Sequence, residues 1–180
     1  MSRSRTGEAL IIGFGNPLRS DDGFGWQAGR LLARELAGQE AEVITCHQLT
    51  PELAEPLSQA RCAVFIDAGV EGKPGEIRHG ALRPQAPASS TFSHSCSPSG
   101  LLASAQVLYG SCPKAILITV TAQSFEFGDS LSAAVSATLP KVMDQVCQFA
   151  SLHRFDDKLD APAARPSLGG RRSVFPGSEL

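Results

Sequence analysis

IIGFGNPLRSDDGFG, residues 11–25, runs from an apolar stretch into a glycine turn and then into two adjacent acids. Glu8 to Gly15 reads as a first strand, apolar on both faces as a central parallel strand must be. Beyond Asp22 the period changes: Phe24, Ala28, Leu31, Leu32 and Leu36 recur at helical intervals until Gly38. A strand feeding a helix through a tight turn is a βα unit, and it sets the expectation for the rest of the chain.

Working outward, EVITC (42–46) predicts a second strand, and Thr50-Pro51 a capped helix over PELAEPLSQA. CAVFID (62–67) is a third strand ending on a carboxylate. GKPGEIRHGALRP predicts a short strand or hairpin, followed by an irregular loop through Ser95. Ser97-Pro98 repeats the cap signature ahead of a helix to about Tyr109. KAILITVTA is another strand, and Leu131, Val135, Leu139, Val142, Val146 and Phe149 mark a long final helix kinked at Pro140. Alternating strands and helices imply an α/β three-layer sandwich, a twisted, mostly parallel sheet with helices on both faces. The chain divides into one α/β domain over residues 1–152 and a Pro-, Gly- and charge-rich tail over 153–180, expected to be flexible.

At 180 residues one domain suffices, and a formal net charge of −2 removes the basic field that nucleic acid or an anionic membrane would favour. No stretch approaches the roughly 20 apolar residues of a membrane span. Five cysteines, Cys46, Cys62, Cys96, Cys112 and Cys147, form no CxxC pair and read as reduced thiols of a cytoplasmic protein.

The glycine turn fails as a nucleotide loop. Gly13 and Gly15 fit the dinucleotide fingerprint, but Leu18 stands where the third glycine belongs, Pro17 removes an N–H, and Asp21 with Asp22 would repel a pyrophosphate. A cation site suits the turn better. Asp21 and Asp22 follow strand one and Asp67 ends strand three, at the sheet edge where open α/β folds bind ligands. One of the adjacent acids, Asp21 or Asp22, is expected to cap the helix while the other faces the crevice. His94, in TFSHSCSP ahead of a helix, would complete an O,O,N set for a divalent ion such as Ni²⁺ or Zn²⁺. His47 could line the same crevice; His79 sits in a turn-rich segment and His153 begins the tail. Ser93, Ser95 and Cys96 lack a nucleophile elbow.

Together these motifs resemble the hydrogenase maturation peptidases, which process the large subunit of nickel-iron hydrogenases. GFGNPLRSDDGFG, HQLTPELAE, VFIDAG, FSHSCSPSGLLASAQVLYG and FEFGDSLSAAVSATLP are similar to that family's blocks in the same order, over roughly residues 8 to 150. The resemblance implies Asp22, Asp67 and His94 as metal-contacting and catalytic residues, which leaves Asp21 as the cap or a support for its neighbour. It also implies a nickel ion supplied by the precursor, no organic cofactor, and cleavage of a C-terminal extension from the nickel-loaded large-subunit precursor. The enzyme would be an aspartic-type or metal-assisted endopeptidase acting as a cytoplasmic monomer. Two departures stand out: an aspartate at 22 where some members have glutamate, and CHQLT where many have an Asp-Gly-Gly loop. The alternative is a nickel-sensing assembly protein on the same scaffold without catalysis.

Overall fold

Every second residue of the first strand points to the opposite helical layer, which the sheet order makes possible. The computed structural model describes residues 8–85 and 96–159, with 153–159 as backbone only. Its strands are β1 (Ala9–Phe14), β2 (Ala41–Cys46), β3 (Cys62–Gly69), β4 (Ile77–Leu82) and β5 (Lys114–Thr121), in the order β2-β1-β3-β5-β4. All neighbours are parallel except β4, which runs antiparallel on the edge against β5, with Ile77 opposite Val120 and Leu82 opposite Ala115. The segment over GKPGEIRHGALRP is thus a single edge strand and does not pair back on β3.

The helices are α1 (Phe24–Glu35), α2 (Ala54–Gln59), α3 (Pro98–Tyr109), α4 (Ala133–Ser136) and α5 (Leu139–Leu159). On one face Leu10, Ile12, Ala63 and Phe65 of the central strands pack with Leu57 of α2 and Leu101, Leu102 and Ala105 of α3. On the other, Ile11, Val64, Ile66, Ile118 and Val120 pack with Phe24, Ala28 and Leu32 of α1, Val135 of α4, and Val142 and Val146 of α5. The alternation is the two-residue period of a strand buried on both sides, and the result is the expected three-layer α/β architecture.

Four local expectations change. The final helix is broken rather than kinked: Ser132 caps α4 by accepting from the amide of Val135, and Pro140 sits in the first turn of α5, where its missing N–H costs nothing. Helix α5 continues to Leu159, past the expected boundary at residue 152. Residues 160–180 of the predicted tail, with Val174 and Phe175, lie outside the described residues. The Thr50 side chain makes no cap bond, and a 3-10 turn over Pro51–Leu53 precedes the short α2. Pro56 lacks the N–H that an α-helix beginning at Pro51 would need there. Ser97, by contrast, caps α3 as expected, its Oγ accepting from the Gly100 amide at 3.0 Å. Finally, Leu31 is not core: Phe24, Ala28 and Leu32 are fully buried at four-residue steps, whereas Leu31 is 37% exposed.

Candidate active site

The strand order creates a switch point. From β1 the chain crosses through α1 to β2 on one side, then through α2 to β3 on the other, so the connections diverge at the carboxyl ends of β1 and β3. Ligands of open α/β sheets bind at such a crevice. Asp22 follows β1 and Asp67 lies near the end of β3.

Glycine sets how closely these two segments approach. A Cβ on Gly25 would lie 2.1 Å from the carbonyl oxygen of Ile66 and 2.4 Å from that of Phe14, so the first turn of α1 rests directly on both strand ends. Gly15, at φ +131, is equally tight: a Cβ there would stand 1.9 Å from the Asp22 carbonyl oxygen. The third glycine of a nucleotide loop is absent at 18, and close packing is achieved instead by Gly25, one helical turn deeper than the acids.

Within the turn, Asp22 accepts the amide of Asn16 at 3.0 Å on Oδ2, and Asn16 Oδ1 accepts the amide of Leu18 at 3.0 Å. Asp67 accepts the amide of Ala68 at 2.8 Å. Burial pushes the Asp67 carboxyl up to about 7; the Ala68 amide works against that, and the negative charge of Asp22 adds to it. Asp22 and Asp67 are therefore brought together as sensed charges at one crevice, each half-buried. Two carboxylates at one crevice, one with its proton affinity raised by burial, offer oxygen donors to a cation and a group able to take or give a proton.

Asp21 does something else. It is fully buried, and it caps no helix of its own: its Oδ2 accepts the amides of Gln123 (2.8 Å) and Ser124 (3.1 Å) and the hydroxyl of Ser132 (2.9 Å), while Oδ1 accepts the amide of Ser132 (2.7 Å). Burial alone would raise its pKa, but these bonds outweigh it and leave the carboxyl lowered. The expected cap or support is thus a clasp between the acidic turn and the loop after β5. Ser20, in the left-handed region at φ 48, strengthens the clasp through its amide to Gly128 and its hydroxyl to Glu126. Sequence reading did not identify Ser132 as the partner of Asp21; the only signal was its position as a cap ahead of Ala133.

His94 lies outside the described residues, and among the described residues no three His, Cys, Asp or Glu side chains gather as a metal site. His47 is exposed just beyond β2, and His79, on β4, shares a hydrogen bond of 3.0 Å with Gln145. Among the described residues no helix is long and apolar enough to cross a membrane.

No protein-family model and no curated protein matches the chain. Solved structures do. The hydrogenase maturating endopeptidase HybD from E. coli superposes with a TM-score of 0.65 at 20% identity, covering 81% of this chain and 93% of that one. The NiFe hydrogenase maturation protease HycI from Thermococcus kodakarensis KOD1 gives 0.65 at 18%, covering 80% and 92%. The hydrogenase 2 maturation peptidase from a Thaumarchaeota archaeon gives 0.62 at 25%, covering 81% and 99%. The chain thus shares the fold of these solved hydrogenase maturation endopeptidases.

Proposed function

We propose that this protein is a hydrogenase maturation endopeptidase that recognises nickel already placed in the large-subunit precursor of a nickel-iron hydrogenase and removes the precursor's C-terminal extension. The convergence of Asp22 and Asp67 at the switch point, on a fold shared with named maturation endopeptidases, carries this reading. Nickel enters as a mark on the substrate, and the protein brings no organic cofactor. Two carboxylates with His94 form a donor set suited to a borderline cation. Contact with the metal would hold the scissile peptide beside the crevice, and water adds across the peptide bond with the metal or a carboxylate as activator. The raised pKa of Asp67 fits a site whose compensating positive charge arrives with the partner.

Incubation with nickel-loaded and nickel-free precursor tests the reading directly. Shortening of the nickel-loaded precursor alone is expected. Intact precursor in both tubes despite measurable binding would leave a nickel-sensing assembly protein instead.

A further inference from the structure

Alongside the acidic turn runs an open groove of about 520 Å³, walled by Pro17 and Leu18 of the turn and by Trp26, Arg30, Leu31 and Arg34 on the outer face of α1. Its composition is unusual for a solvated helix face. Leu18 is 62% exposed and Leu31 37%, and the Arg30 guanidinium stacks 4.8 Å from the centroid of Trp26, the only tryptophan of the chain. Among the described residues neither Arg30 nor Arg34 forms an ion pair, whereas Arg78 pairs with Glu71 and Glu76. The one acid on the wall, Asp129, sits on the loop clasped to the turn through the Gly128 amide and the Leu18 carbonyl at 3.1 Å. On that same loop Phe127 is 91% exposed.

An apolar floor, an aromatic anchor and two cations without an ion-pair partner among the described residues define a complementary ligand: a peptide segment with an apolar side chain flanked by acidic ones. Continuity matters as much as composition. Pro17 and Leu18 are bonded into the turn in which Asn16 holds Asp22, so a segment lying in the groove leads toward the candidate site. We infer that this groove is a docking surface for an apolar, acidic segment of the precursor protein, engaged apart from the metal-recognising acids. The inference rests on the proposed function for the partner's identity, but its physical basis is the α1 face.

Trp26 supplies a readout that needs no catalysis. Peptides tiling the C-terminal part of the large-subunit precursor are titrated into the full chain while its intrinsic fluorescence is followed, in parallel with steady-state cleavage of the nickel-loaded precursor. At least one peptide of apolar and acidic composition is expected to shift the emission saturably. The double change Arg30→Glu, Arg34→Glu is expected to weaken that binding roughly tenfold or more, flatten its salt dependence, and raise KM with kcat nearly unchanged. Arg30→Lys, Arg34→Lys should recover most of the binding. Cleavage by the wild type, with no peptide shifting Trp26 and an unchanged KM in the charge-reversed protein, overturns the docking surface and leaves the proposed function standing. Saturable peptide binding without cleavage of the precursor does the reverse. A groove occupied by residues 160–180 of the chain itself also overturns the inference; it would appear as a change in Trp26 emission when those residues are deleted, with no effect of any precursor peptide.

Discussion

Ser132 meets Asp21 with both of its donors, the backbone amide at 2.7 Å from Oδ1 and the hydroxyl at 2.9 Å from Oδ2. The same hydroxyl oxygen also accepts from the Val135 amide at 3.4 Å, so one serine caps α4 and seats a buried carboxylate from the other end of the domain. Two adjacent aspartates thereby have different duties: Asp21 joins the acidic turn to the loop after β5, and Asp22 is left to the crevice.

Removing Asp21 should damage the fold. Asp21→Ala strips an acceptor from three amides and a hydroxyl in a site with no exposure, and we predict a loss of roughly 3 kcal/mol or more in denaturant unfolding. Asp22→Ala removes one half-buried amide contact and a like charge near Asp67, so its stability should stay within about 1 kcal/mol of wild type while cleavage is lost. Equal melting temperatures for the two variants would refute this division of labour.

The pH dependence of stability follows from Asp67. Its carboxyl loses a proton near 3.8 when unfolded and near 7 when folded. Below 3.8 both states hold the proton and the group is neutral to stability. Between the two values only the folded state keeps it, so stability falls by up to about 1.4 kcal/mol per pH unit, and above 7 the penalty is constant. Asp67→Asn is predicted to raise stability by roughly 2 to 4 kcal/mol at pH 8 and by little at pH 4. A melting difference independent of pH would mean that the carboxyl titrates normally.

Gly25 should tolerate no side chain. The atoms that a Cβ would strike belong to the backbones of β1 and β3, which cannot rotate away, so Gly25→Ala is expected to cost roughly 3 kcal/mol or to lift α1 off the strand ends. Gly80→Ala on β4, where nothing lies within 4 Å, serves as the control and should be close to neutral. Circular dichroism melts of the two distinguish close packing from a general intolerance of alanine.

His94 completes the proposed donor set, and His94→Ala should cut nickel-dependent cleavage at least roughly 100-fold, with melting nearly unchanged. His79→Ala, which loses only an exposed bond to Gln145, should cleave normally. Full activity in His94→Ala would remove the histidine from the site.

Much was legible in the linear chain because it depends on local periodicity and chemistry. The apolar runs at 9–14, 62–69 and 114–121 are strands buried on both faces, and their alternation with helices leaves few topologies for a mostly parallel sheet. The pairing of acids after β1 and at the end of β3 was likewise visible as composition. What local chemistry could not decide was which of two identical neighbouring side chains would be consumed by structure; only the family resemblance pointed to Asp22 for the site and to Asp21 for support. Asp21 is buried by residues more than one hundred positions away, and no local pattern encodes so distant a contact. Nor could it separate Leu31 from Leu32, since one step of about 100° on a helix divides core from groove. Tertiary packing made both decisions: Gly25 lets α1 settle on the strand ends, and that seat fixes which faces of the turn and helix turn toward the sheet, the crevice and the solvent.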